Sequence, residues 1–292
     1  MDFPSLRSFS SYHFSLHSKA TKGSPHQVIV LDAVSKSYDN TPILKNISFK
    51  IAPGERVSLL GPGGCGKSTI LKILLGLTPP DEGTVELLDR NMVESSEAEK
   101  IVTLQKVGMA FQQGALFDFM TVEENIYFAM ENMTKMSKSE MKDKIDQLLS
   151  IVKLERTKNM FPHELSGGMK RRIGIARALA TSPVVSIFDE PTSGLDPVTS
   201  TIILNMIHEL GGEEKESASL VSTSSVEIAI RFAERVILIN KGEVVADDSW
   251  KKLILEGDEW VKHFLSLRLI GIDIAYAREL GLPEAFIKQH WN

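Results

Sequence analysis

Gly61-Pro62-Gly63-Gly64-Cys65-Gly66-Lys67-Ser68-Thr69 matches the pattern G-x-x-x-x-G-K-[ST] without a gap. The stretch follows an apolar run, Val57 to Leu60, and opens a helical one, Thr69 to Leu77, which is the strand, loop and helix context in which this pattern cradles phosphate. Glycines let backbone amides turn toward an anion, and the helix that follows presents its positive end to the same point. Lys67 is then placed for the β- and γ-phosphates and the Ser68 hydroxyl for Mg2+. The stretch predicts a bound nucleoside triphosphate with Mg2+ on a P-loop α/β fold.

Outward from this loop the texture is strand-rich and then helical. Val28 to Leu31 and Ile47 to Ile51 are β-branched runs bounded by turn residues. Ser137 and Glu140 have capping-box spacing, and Met141, Ile145, Leu148, Leu149 and Val152 recur on one helical face. Apolar strands return at Val184 to Phe188, Leu220 to Val221 and Val236 to Ile239. The last is followed by Asn240-Lys241-Gly242 and then Glu243 to Ala246, which reads as a hairpin. The expectation is an α/β domain over residues 28–250 with an inserted helical subdomain over about 113–178, and a C-terminal extension over 251–292. Residues 1–27 hold seven serines and one acid, Asp2, without periodicity; they read as a flexible extension, or as an organellar transit peptide.

Composition narrows the function. A hydrophobic content of 42% supports a sizeable core. No run approaches the roughly 18 apolar residues of a membrane span, so any membrane role would come through partners. A net charge of -5 and a pI near 5.9 argue against a nucleic-acid surface, which needs clustered Lys and Arg. The lone cysteine, Cys65, cannot form an internal disulfide.

The run Val184 to Phe188 ends in Asp189-Glu190, and two acids at the end of a buried strand call for a cation or a hydrogen-bond network. Asp189 suits Mg2+; Glu190, one residue on and so on the other side of the strand, suits orienting and deprotonating a water. Leu165-Ser166-Gly167-Gly168 lies between the two motifs, opening a helical run to Ala180. Together these residues resemble the ABC ATPases, whose signature motif the last four match. The resemblance implies that Ser166, Gly167 and Gly168 face the γ-phosphate held by a second copy, so that a head-to-tail homodimer sandwiches two ATP. It further implies that Tyr38 stacks on adenine, that Gln112 sits on a lid loop sensing Mg2+, and that Ser193-Gly194-Leu195-Asp196 couples the two sites, with Asp196 in the nucleotide-contacting set. It departs from the family at one point. Val221-Ser222-Thr223-Ser224 puts Thr223 where the family has a histidine on the γ-phosphate, which leaves either slow hydrolysis or an ATP-binding clamp with little hydrolysis. Ser222, Ser224 or a water bridged by Thr223 are the candidates to replace that contact.

Phe111 to Asp118 and Leu165 to Arg172 further resemble the ATPase subunit of Mla/Mce phospholipid transport systems. That resemblance implies a pair of multi-spanning permease subunits, a small accessory regulatory domain, and a peripheral position on the cytoplasmic face of the inner membrane. Lys170, Arg171 and Arg172 read by themselves as a solvated helix face. Met120, Met130, Met133, Met136 and Met141 suit either core filling or a groove that grips a partner helix. Trp260, Phe264 and Leu267 fall at near-helical spacing, and the tail from Ile270 to Trp291 either clasps a neighbouring subunit or packs on its own domain.

Overall fold

The computed structural model describes residues 26–290 except 113, 132, 211–215 and 270–272; the predicted extension over 1–27 lies almost wholly outside them. Two sheets form. Strands β1 (Ile29–Tyr38), β2 (Thr41–Ile51), β4 (Glu82–Leu87) and β5 (Arg90–Asn91) make an antiparallel sheet in the order β2-β1-β4-β5. Strands β3 (Arg56–Leu60), β6 (Val107–Ala110), β7 (Val185–Asp189), β8 (Ala218–Thr223), β9 (Arg235–Asn240) and β10 (Glu243–Ser249) make the second, in the order β10-β9-β3-β8-β7-β6. All of its neighbours are parallel except the predicted β9–β10 hairpin.

The unbroken apolar runs follow from burial on both faces of the parallel sheet. Val57 and Leu59 of β3, Ile237 and Ile239 of β9 and Val185 and Ile187 of β7 face a core shared with the antiparallel sheet. Helix α1 (Lys67–Leu74) joins the same core with Ile70, Leu71, Ile73 and Leu74, each worth about 1.5–3 kcal/mol when fully buried. Phe188 and Val221 point the other way, into a helical core with α3 (Val122–Glu131), α4 (Lys138–Ile151), α5 (Gly167–Leu179) and α6 (Pro197–Leu210). α4 carries the predicted capping box, and its stripe Met141, Ile145, Leu148 and Leu149 is buried as the spacing required. α2 (Glu97–Leu104), between β5 and β6, carries a second capping box, Ser96 with Glu99, which sequence reading passed over.

Two readings that the sequence left open are decided here, and one is corrected. The tail packs on its own domain: α8 (Trp250–Glu256), α9 (Glu259–Leu269), α10 (Ile274–Glu279) and α11 (Glu284–His290) share a core with Leu60, Leu238 and helix α7 (Val226–Phe232). The buried stripe of α9 is Val261, Leu265 and Leu269, one residue beyond Trp260 and Phe264, which stack on each other at 5.2 Å with Phe264 half-buried against the same core; the Leu267 side chain lies outside the described residues. The methionines divide, with Met130 and Met141 in the core, Met136 packed against it and Met133 exposed, so they form no single groove. Arg171 and Arg172 are half-buried and hydrogen-bonded to backbone carbonyls, because α5 runs against neighbouring loops rather than water.

Strand register sets the site. Leu60 pairs with Thr223, Asp189 with Ser222, and Phe188 with Ala110. The loops after β3, β8, β7 and β6 therefore leave one carboxyl edge of the parallel sheet, the edge at which open α/β sheets hold ligands.

Candidate nucleotide site

The loop after β3 is shaped by two glycine requirements. Gly66 has a φ of 109°, which other residues rarely adopt, and a Cβ on Gly61 would stand 2.2 Å from the Ile239 carbonyl oxygen. Gly66 also leaves the N-terminus of α1 without a side-chain cap, so its first amides remain open to an anion. Lys67 is buried, and its Nζ donates to the carbonyls of Gly61 at 2.8 Å and Pro62 at 3.2 Å. Glu190 Oε1 stands 3.5 Å from the same ammonium. Cys65 is buried in the loop; desolvation pushes its thiol above the ordinary range, with the Lys67 charge opposing.

Glu190 reaches Lys67 by a route that strand alternation does not supply. Its φ is +47°, a left-handed conformation costing a non-glycine residue about 1–2 kcal/mol. The turn is held because Glu190 N donates to the Ser222 carbonyl at 3.0 Å. Asp189 accepts from Ser222 Oγ at 2.5 Å and from Ser68 Oγ at 3.4 Å. Ser222, one of the three candidates for the missing histidine's contact, has its hydroxyl turned into Asp189. The logic that singled out Asp189, a polar group ending an apolar strand, applied equally to Ser222.

Thr223 closes β8. Its side chain is buried and its Oγ1 accepts from Ser225 N at 3.1 Å, bracing the turn into α7, so the hydroxyl is committed to backbone. Ser224, by contrast, borders an open cleft of about 300 Å³ together with Glu190, Ser193, Thr223 and Glu227. Gln112 is exposed, and its Nε2 approaches Ser193 Oγ at 3.5 Å rather than the Ser68–Asp189 pair, so the structure does not bring it into the metal-ligand set. Asp196 caps α6, accepting from Thr199 N at 2.9 Å and Thr199 Oγ1 at 2.6 Å, and the Thr199 hydroxyl holds its carboxyl below the usual range.

Tyr38 ends β1 beside the two-residue turn Asp39-Asn40; it is 43% exposed, with Lys36 Nζ 5.6 Å from its ring, and its free face can stack on a base. Ser166 caps α5 by accepting from Met169 N at 3.3 Å, and Gly167 is exposed with open space around it. The residues present fit ATP with Mg2+: an uncapped helix N-terminus, a buried ammonium, and a hydroxyl and carboxylate converging as hard oxygen ligands.

A family model described as "ABC transporter" matches residues 44–193. The chain is 38% identical over 227 residues to the Arabidopsis thaliana protein TRIGALACTOSYLDIACYLGLYCEROL 3, chloroplastic, covering 73% of this chain and 66% of that protein. It is 38% identical over 228 residues to the Bacillus subtilis arginine transport ATP-binding protein ArtM, covering 78% of this chain and 94% of ArtM. The dimeric post-hydrolysis structure of the ATP-binding cassette MJ0796, bound to ADP and Pi, superposes with a TM-score of 0.68 at 34% identity, covering 76% of this chain and 98% of that one.

Proposed function

We propose, on the premise that this chain belongs to the ABC transporter family, that it drives phospholipid transport by hydrolysing ATP between two copies of itself. That it is an ATP-binding cassette, an ATPase using ATP with Mg2+, follows from the family and the fold. The observation that carries the site assignment is the convergence of Glu190, Lys67, Ser68 and Asp189 at one sheet edge.

In this reading the amides of Gly63 to Ser68 and the Lys67 ammonium hold the phosphates, and Tyr38 stacks on the base. Ser68 and Asp189 would hold Mg2+, which supplies neutralisation of phosphate charge. Glu190 orients the attacking water and accepts its proton at the carboxylate. Ser166, Gly167 and Gly168 of a second copy close the site over the terminal phosphate, as the exposure of Gly167 permits. Gln112 lies on the loop that reports to the permease. The chain comprises a cassette over 28–250, with its helical subdomain over about 113–178, followed by a C-terminal extension over 251–292.

The permease would dock on the helical subdomain. Phe117, Phe119 and Phe128 form an exposed aromatic cluster there, with ring centroids 5.8 and 5.3 Å from Phe117. Among the described residues no helix is long and apolar enough to cross a membrane. The chain would sit peripherally on the face holding ATP, the cytoplasmic one in a bacterium, with an accessory domain alongside.

Lipid as cargo is supported by the segments Phe111 to Asp118 and Leu165 to Arg172, and by the galactolipid in the name of the Arabidopsis relative. ArtM, equally identical, is named for arginine. The complex purified from native membranes decides: ATPase stimulation by phospholipid and not by arginine is expected, and the converse overturns the lipid reading. For the site, Lys67→Ala should abolish tight ATP binding, whereas Glu190→Gln should bind ATP and trap a dimer. Hydrolysis by Glu190→Gln at the parental rate overturns its role. A second reading, an ATP-binding clamp with little hydrolysis, is favoured by the commitment of the Thr223 hydroxyl to Ser225, and the parental kcat separates the two.

A further inference from the structure

The loop carrying Gln112 is fastened to α5 at several points. A methyl group built on Gly174 would stand 2.7 Å from the Gly114 Cα, so loop and helix are in backbone contact. Arg177 donates to the carbonyls of Gly114 at 3.2 Å and Ala115 at 2.9 Å, and Arg171 Nε donates to the Gln112 carbonyl at 2.8 Å. Arg171, Gly174 and Arg177 recur every three residues and so share one face of α5. The loop and α5 are held as one unit.

Arg171 makes a second connection. Its other arm, NH1, donates to the Ser193 carbonyl at 2.5 Å, and Ser193 N donates to the Glu190 carbonyl at 3.2 Å. The rigid guanidinium fork thus bridges the Gln112 loop and the turn behind Glu190. Gln112 Nε2 to Ser193 Oγ, at 3.5 Å, is the longer of these two links between the loops. Burial disfavours the charge on Arg171, while the carboxylate of Glu190 favours it. The route also begins at the exposed aromatic cluster, since the Arg177 guanidinium lies 5.6 Å from the centroid of the Phe117 ring.

We propose that Arg171 is a positioning residue whose guanidinium fixes the turn behind Glu190 to the Gln112 loop and to α5, so that movement of the helical subdomain reaches the water-activating carboxylate. This rests on the roles given above to Glu190 and Gln112. It assigns work to a side chain that otherwise reads as one of three basic residues on a helix face.

The test is steady-state ATP hydrolysis by the full chain in its complex, with Tm measured in parallel. Arg171→Met keeps the stem and removes both donors; kcat should fall about tenfold or more, the rate equivalent of one net hydrogen bond, with KM within about threefold. Arg171→Lys, retaining the charge and one reachable carbonyl, should recover part of the loss. In the double variant with Gln112→Ala the effects should be non-additive, because the two links join the same pair of loops. Should Arg171→Met not accumulate folded, Arg171→Gln serves in its place. Parental kcat in Arg171→Met overturns the proposal, as does a loss confined to KM. An equal loss in the Met and Lys variants matched by a fall in Tm also overturns it, in favour of plain support of the fold. Glu190→Gln in the same assay separates the two levels: if it is inert while Arg171→Met is unimpaired, the site assignment stands and the bridge falls.

Discussion

Replacing Thr223 with histidine should speed hydrolysis and weaken the fold, and the two effects have separate origins. Thr223 ends β8, is 1% exposed, and accepts from Ser225 N through Oγ1. Losing that acceptor leaves an amide at the start of α7 unpaired, which costs about 1 kcal/mol. In a chain of this size that is about 2–4 °C in Tm. The imidazole has room, because Thr223 borders the cleft of about 300 Å³ that Glu190 also lines. It also starts close to the phosphate loop, since Thr223 pairs with Leu60, the residue before Gly61. A preorganised donor to charge developing in the transition state is worth about 3 kcal/mol, or roughly a hundredfold. In a turn shaped around threonine, part of that is lost to imperfect alignment, and kcat should rise at least about tenfold with little change in ATP affinity. The assay is steady-state hydrolysis by the parent, Thr223→His and Thr223→Ala in the assembled complex, with Tm for each. Thr223→Ala should share the stability loss without the gain. No acceleration in a folded Thr223→His, together with a Thr223→Ala as fast as the parent, would refute the view that this position limits turnover.

Ser222→Ala removes the 2.5 Å donor to Asp189, and the Mg2+ concentration for half-maximal hydrolysis should rise about tenfold or more; an unmoved Mg2+ curve would show that Ser222 does not hold the ligand. Because burial raises the Cys65 thiol, the reactive thiolate is scarce at neutral pH, so maleimide labelling should be slow at pH 7, quicken as pH rises toward 9 and beyond, and be blocked by MgATP. Labelling at pH 7 as fast as that of a free thiol would contradict the buried geometry. His208 is pushed below its ordinary pKa by burial and by the Arg56 guanidinium, whose NH1 lies 2.6 Å from Nδ1. The folded state therefore favours neutral His208. Its contribution to stability is present above the unfolded pKa of about 6.5 and is lost as pH falls through the lower folded value. The fall in urea midpoint on acidification should be shallower in His208→Gln, and an unchanged slope would count against this.

Legibility tracked how local each signal was. The phosphate loop, the α4 capping box and the β9–β10 hairpin depend on residues within a few positions, and the structure has each where the sequence put it. The antiparallel sheet was seen only in pieces, because β1 and β2 carry half-exposed stretches and bulges that interrupt alternation. In α9, near-helical spacing did not separate the exposed Trp260 from Phe264, which is half-buried against the core, nor show that the fully buried stripe starts one residue later at Val261. Arg171 was misread since its partners are backbone carbonyls 59 and 22 positions away, which no spacing in the sequence announces.

By itself the sequence determined the chemistry available: a loop of glycines that must turn, a lysine and a serine at its end, and two acids closing an apolar strand. Those choices are local, imposed by φ requirements and by the cost of burying unpaired charge. What only the tertiary structure decided is how these groups meet. The parallel register set Leu60 beside Thr223 and Asp189 beside Ser222. The left-handed turn at Glu190 brought its carboxylate to Lys67, against the alternation a strand would have imposed. Strand order and register depend on which apolar faces find each other across the whole chain, so side chains far apart in sequence become hydrogen-bond partners only once both faces of the sheet are covered.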